Sequence, residues 1–304
     1  MPLVEAHGLV RRFGSVVAVD GVDLVVQPGT VTGVLGPNGS GKSTLLRMLI
    51  GLVRPHGGSA TVAGVPLVGD GTAVRRRVTF APGEIALYGE CTAEEQLTWL
   101  LRGRPDSAEA AARAVALRLG LPLAKKVHEF SHGMKRQLLF AAAMGPDVPL
   151  VILDEPTEGL DPTKRREVLA EIEGRRARGT TVLLSSHHLS EVEAVCDRLV
   201  FFHSGHILAD ESPDVLRARA RRSLRITYAE PDAAEAALDL VAEHPAVDTV
   251  VHDGALLRLE LHAEDPRPFL GALADLGGPA PAAIESGRLS LTDLYRTVYG
   301  VDGL

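Results

Sequence analysis

The sequence predicts an α/β protein in two parts: a large first domain built on a parallel sheet with helices on both faces, and a small α+β domain after it. Three observations carry the prediction. The runs VPLVILDEP (148–156) and TTVLLSS (180–186) are continuously apolar, and the stretch 162–178 between them has helical character. Strands buried on both faces by helices read this way, whereas half-exposed strands alternate. The first thirty-five residues instead break short Val/Leu-rich runs with Gly, Pro and Asp turns, as antiparallel hairpins do. Past RARARRSLR (217–225), short strands and short helices alternate.

Taken in order, LVEAHGLV (3–10), SVVAVDGVDLVV (15–26) and TVTGVLG (30–36) are predicted strands. A glycine-rich loop follows, then a helix carrying Leu45, Leu46, Met48, Leu49 and Leu52 that stops at Arg54-Pro55. Between about 90 and 125 the composition turns to Ala, Leu, Glu and Arg with helical periodicity, which predicts a helical subdomain over about 90–145. The expected division is a first domain over 1–220 and a second over 221–304. In the second, RITYA, TVVHDG and LLRLELH are predicted strands, and AAEAALDLVAEH, PFLGALADLG and SLTDLYRTVYG predicted helices. The arginines near the junction read either as a solvated helix face or as contacts for a partner or a lipid surface.

The chain has 304 residues, 45% of them hydrophobic, enough for two cores. Lys plus Arg is 32 against Asp plus Glu 39, a formal charge of -7, which suits a phosphate-backbone binder poorly, so nucleic acid is not an expected partner. No run of eighteen apolar residues and no secretory-type start occur, and a cytosolic chain is expected. Cys91 and Cys196 lack metal spacing and read as ordinary small apolar residues in a reducing compartment.

Gly36, Pro37, Asn38, Gly39, Ser40, Gly41, Lys42, Ser43 and Thr44 fit GxxxxGK[ST] directly between a strand and a helix, the context this motif needs. Glycines let backbone N–H groups surround phosphate oxygens, Lys42 brings charge to the β and γ phosphates, and the Ser43 hydroxyl serves a magnesium ion. Asp154 and Glu155 leave the apolar strand 148–156 side by side, where one can hold the metal and the other can polarise an attacking water. Farther along come FSHGM (130–134), EGLD (158–161) and SSHH (185–188).

In this order the five motifs resemble the nucleotide-binding subunit of an ABC (ATP-binding cassette) transporter, over residues 3 to about 215. The resemblance implies a P-loop NTPase fold with an N-terminal antiparallel β subdomain and a helical subdomain, with ATP and Mg²⁺ as its ligands. It implies that Glu155 activates water and that His187, directly after the serine pair, contacts the γ-phosphate. FSHGM stands where the family writes LSGGQ, so Ser131 and Gly133 would hold the γ-phosphate of an ATP bound to a second subunit. His132 and Met134 depart from the commonest form. Asp161 would reach across the same dimer, and by its own position it also reads as a cap for the helix beginning at Pro162. Phe13 aligns with the aromatic that stacks on adenine; a core aromatic of the first hairpin is the other reading.

Where the family has a glutamine, this chain has Gly83, within FAPGE (80–84). Glu84 is a candidate for the missing contact to magnesium, although a carboxylate cannot donate a hydrogen bond as an amide does. FSHGMK, the PGE variant and the SLTDLYRTVYG tail look like the ABC-2-type and multidrug-export group. The expected partners are a transmembrane permease, received by the surface around residues 80–125, and a second ATP-binding subunit, identical or homologous. The expected place is the inner face of the cell membrane. A rival stays open: an ABC ATPase without a permease, acting on ribosomes or DNA or as a regulator. The two-cassette chains or long coiled-coil insertions of such members are absent here. For the C-terminal domain, regulation, dimer support, permease contact and simple structural support are all open.

Overall fold

The structure is a computed structural model that describes residues 1–189, 193–275 and 277–286. The SLTDLYRTVYG segment, and residues 190–192 of the stretch after SSHH, lie outside the described residues. The chain divides into two compact units, one ending at Asp210 and one starting at Glu211.

The first unit opens with β1 (Val4–Phe13) and β2 (Val16–Val26), an antiparallel pair turned at Gly14 with φ 57°. β3 (Val31–Leu35) is buried throughout and leads through the glycine-rich loop into α1 (Lys42–Leu49). β4 (Gly57–Val62) and the two-residue β5 (Val65–Pro66) then complete an antiparallel sheet of order β2-β1-β4-β5. After the short α2 (Thr72–Arg75) and β6 (Val78–Ala81) come α3 (Ala93–Leu100), α4 (Asp106–Arg118) and α5 (His132–Met144). Helix α3 starts at a capping box, in which Thr92 Oγ1 accepts from the Glu95 amide and the Thr92 amide donates to Glu95 Oε2.

The chain returns through β7 (Leu150–Asp154), α6 (Pro162–Ala177), β8 (Thr181–Ser186), β9 (Arg198–His203) and β10 (His206–Glu211). The central sheet runs β10-β9-β3-β8-β7-β6, and its β9/β3, β3/β8, β8/β7 and β7/β6 pairs are parallel. Every residue of β3, β7 and β8 is buried, the physical counterpart of their unbroken apolar runs. The antiparallel and central sheets share one core, in which Leu24, Leu46, Met48, Ile152, Leu183 and Phe202 pack together. That core fixes the carboxyl ends of β3, β7 and β8 against the start of α1.

Leu52 is the exception to the predicted helix. α1 stops at Leu49 because Gly51 takes φ 74°, and Leu52 points outward, more than half exposed. Cys91 and Cys196 are both free, and burial pushes the Cys196 thiol well above its ordinary range.

The second unit contains α7 (Pro213–Arg222), β11 (Ser223–Thr227), α8 (Pro231–Ala242), β12 (Val247–Asp253), β13 (Leu256–Leu261), α9 (Arg267–Asp275) and β14 (Ala283–Ser286). Its strands form an antiparallel sheet of order β12-β13-β11-β14 over a core that includes Leu224, Ile226, Leu257, Leu259 and Phe269. The division falls at Asp210/Glu211 rather than after residue 220, because α7 is tied to β13. Arg219 and Arg222 both pair with the buried Glu260, at 3.0 and 3.1 Å. Arg217 meets Asp214 and Arg221 meets Glu264. The arginine run is therefore engaged with carboxylates of its own unit.

Candidate functional site

The loop between β3 and α1 is shaped by glycines that have no substitute. A Cβ on Gly36 would sit 2.0 Å from the Phe202 carbonyl oxygen, and one on Gly41, at φ 110°, would sit 2.0 Å from that of Ala18. Gly41→Ala is expected to destabilise the first unit by about 3 kcal/mol, since neither the φ nor the backbone oxygen can yield cheaply. Urea unfolding of the variant beside the parent chain measures it. Helix α1 begins with no side-chain cap and no acid in its first turn, so its N-terminal amides face the loop's concavity and favour an anion there.

Lys42, 5% exposed, donates from Nζ to the carbonyls of Gly36 at 2.7 Å and Pro37 at 3.1 Å, and lies 3.3 Å from Glu155 Oε1. Ser43 Oγ donates to Asp154 Oδ1 at 2.9 Å, and Ser185 Oγ donates to the same oxygen at 2.7 Å. The other carboxylate oxygen, Asp154 Oδ2, is buried without a hydrogen-bond partner. A buried carboxylate oxygen left bare beside a serine hydroxyl is the donor set of a hard divalent cation, so these residues fit Mg²⁺.

Glu155 follows at the strand exit, 8% exposed and held at φ 51°, a conformation that costs a non-glycine residue on the order of 1 kcal/mol or more. Its amide donates to Ser185 Oγ at 2.9 Å, and its carbonyl accepts from Arg136 Nη1 at 2.6 Å. His187 Nδ1 donates to Glu155 Oε2 at 2.9 Å. Lys42 and His187 thus hold one carboxylate oxygen each. Loop, helix start and both acids line one cavity of about 420 Å³, with Asn38, Gly39, Ser40, Gly41 and Thr44 among its walls.

Gly83 also lines it, and a Cβ there would stand 3.3 Å from Asp154 Oδ2. The neighbouring Glu84 carboxylate is 83% exposed and accepts from Arg47 Nη2 at 3.1 Å. The position that approaches Asp154 therefore carries no side chain, while Glu84 reaches the cavity rim.

Seven predicted site residues are absent from the cavity wall: Gly36, Pro37 and His187, which meet it through their contacts with Lys42 and Glu155, and Ser131, Gly133, Asp161 and Phe13. Ser131 is exposed and caps α5 by accepting from the Met134 amide at 3.2 Å. A Cβ on Gly133 would stand 3.2 Å from Leu160 Cδ2, and one on Gly159 would stand 3.4 Å from His132 Cδ2. Asp161 Oδ1 caps α6 by accepting from the amides of Thr163 and Lys164, both at 3.0 Å. The Lys164 amide, ahead of that of Thr163, holds the Asp161 carboxyl below its ordinary range. Phe13 is not a core aromatic: it is 46% exposed, with the Arg11 guanidinium 4.5 Å from its ring centroid.

Two residues outside the predicted site set hold the site together. Ser185 bridges Asp154 and Glu155, and Arg136 grips the Glu155 carbonyl. Their signals were a serine ending an apolar strand and an arginine within a helix otherwise rich in Leu, Phe and Ala.

Residues 19–158 match the sequence profile of a family described as ABC transporter, and residues 124–193 match one described as AAA domain, putative AbiEii toxin, Type IV TA system. The daunorubicin/doxorubicin resistance ATP-binding protein DrrA of Streptomyces peucetius is 36% identical, over 98% of this chain and 92% of its own length. Among solved structures, the ATP binding subunit of an ABC transporter superposes with TM-score 0.65 at 31% identity, covering 71% of this chain and 92% of that one. A dimeric post-hydrolysis state of the cassette MJ0796, bound to ADP and Pi, superposes with TM-score 0.62 at 20% identity, covering 69% and 98%.

Proposed function

Because this chain belongs to the ATP-binding subunits of ABC transporters, we propose that it powers export through a separate transmembrane permease, hydrolysing ATP at sites shared by two copies. It is a P-loop ATPase. The step to export rests on DrrA, a drug-resistance protein alike over nearly the whole of both chains. No helix among the described residues is long and apolar enough to cross a membrane, so a permease would supply the path and hold this subunit at the inner membrane face. The apolar cleft lined by Phe80, Pro82, Leu100, Leu101 and Leu139, about 280 Å³, lies in the region expected to receive it.

The observation that carries the two-copy reading is the division of the site. One chain brings the loop, Asp154 and Glu155 to a cavity whose wall contains neither Ser131, Gly133 nor Asp161. Ser131 and Gly133 start a helix whose N-terminal charge favours an anion. A second copy, placed head to tail, would bring that helix start over the phosphates.

Within the cavity, Lys42 binds the β and γ phosphates, and Phe13, outside the cavity wall, offers an exposed face to adenine. Ser43 and Asp154 would hold Mg²⁺, which when bound neutralises charge on the phosphate oxygens. Glu155 orients the attacking water and takes its proton, with His187 fixing the carboxylate and lying near the γ-phosphate. Asp161 adds to the contact between copies.

Ser131→Ala is expected to lower steady-state hydrolysis at least tenfold while ATP binding by the single chain stays within about twofold. The lost cap should cost the fold only about 1 kcal/mol. Hydrolysis, equilibrium nucleotide binding and thermal unfolding measured together test this. An unchanged turnover number would remove Ser131 from the site.

A further inference from the structure

Arg136 stands five residues after Ser131 on α5, about one and a half helical turns deeper. It is 5% exposed, and its guanidinium reaches three acceptors in two segments distant in sequence. Nη1 donates to the Glu155 carbonyl at 2.6 Å; Nη2 donates to the Gly83 carbonyl at 3.1 Å and to Glu158 Oε2 at 3.2 Å. A planar fork can hold several acceptors at once in fixed directions, which a flexible ammonium cannot.

The Glu155 contact is the informative one. Glu155 sits at φ 51°, and such a backbone persists only where its surroundings over-determine it. Both flanking peptide groups are pinned: Ser185 Oγ accepts from the Glu155 amide, and Arg136 donates to its carbonyl. Release of the carbonyl would let residue 155 relax toward ordinary φ and swing its carboxylate off the line set by Lys42 and His187. Displacement of a reacting group by about 1 Å costs on the order of a hundredfold in rate.

We infer that Arg136 is a positioning residue for hydrolysis: it fixes the strained backbone of its own chain's Glu155 and ties it to Gly83 and to the helix that Ser131 begins. The helix reaching toward a second copy's nucleotide and the base of this chain's own site thereby share one rigid link. The inference rests on the reading of Glu155 as the general base.

The test is a double-mutant cycle between Arg136→Gln and Glu155→Gln, read by turnover number, KM for ATP and equilibrium ATP binding on the full chain. Arg136→Gln alone should lower the turnover number on the order of a hundredfold, with ATP affinity within about twofold. Added to Glu155→Gln, it should lower the residual rate less than threefold, because a residue acting through Glu155 has nothing left to act on. Arg136→Lys, which keeps the charge but reaches fewer acceptors, should fall between wild type and Arg136→Gln; if the glutamine variant does not fold, the lysine variant carries the same cycle. A turnover number within threefold of wild type overturns the inference. So does a full further loss on the Glu155→Gln background, which would make Arg136 a support of the fold or of the contact between copies. Failure of the general-base reading shows separately, as near-normal hydrolysis by Glu155→Gln alone.

Discussion

Glu155→Gln is expected to lower ATP hydrolysis on the order of 10³-fold while leaving ATP binding intact or tighter. The loss follows from chemistry: an amide cannot take the proton of an attacking water, and a positioned general base is worth roughly 10² to 10⁴ in rate. Binding survives because glutamine keeps the size and backbone of residue 155, whose amide and carbonyl are held by Ser185 and Arg136 whatever the side chain. Tighter binding follows from Lys42, which lies 3.3 Å from Glu155 Oε1. A phosphate entering the loop competes with that carboxylate for the ammonium, and a neutral amide competes less. The measurement is turnover beside equilibrium nucleotide binding on the same preparation.

Lys42→Ala is expected to fail in the opposite place, at binding. The ammonium is the loop's one interior positive charge among the described cavity-lining residues, apart from Arg47 at the rim. Its removal takes the ammonium from the Gly36 and Pro37 carbonyls, of which Pro37 keeps the Ser40 amide at 3.2 Å, and leaves the Glu155 carboxylate buried without its cation. Truncating one partner of a buried charged contact costs about 3 kcal/mol, roughly a hundredfold in ATP affinity. Hydrolysis then falls in both variants, but only the lysine variant loses nucleotide. If Lys42→Ala bound ATP with unchanged affinity, the loop would not be the phosphate site.

Most of the chemical inventory was legible in the sequence, because each motif is local. The loop 36–44 sits between β3 and α1, and Asp154 and Glu155 sit at the exit of β7, where the unbroken apolar run ends. Asp161 was legible as a helix cap, since Pro162 at the helix start announces it. The departure at Gly83 was legible too, and its place beside Asp154 Oδ2 was not.

What escaped depends on long-range geometry. Arg136 and Glu155 are nineteen positions apart, and nothing local says that an arginine in a helix turns inward to a strained carbonyl. Ser185 meets Asp154 only because β8 and β7 pair in parallel register, Asp154 opposite Ser185. Arg219 and Arg222 look like part of a solvated run until Glu260 on β13 is brought beneath them, which is also why the unit boundary precedes α7. Leu52 fits the helical period by spacing, but Gly51 ends the helix before the period reaches it.

The claim on which the functional account depends is that ATP is enclosed between two copies, each completing the other's site. Light scattering of the Glu155→Gln protein, with and without saturating magnesium and ATP, tests it most directly. The expected mass is near the single-chain 32.2 kDa without nucleotide and about twice that with it. A particle that binds ATP fully and keeps the single-chain mass would contradict it.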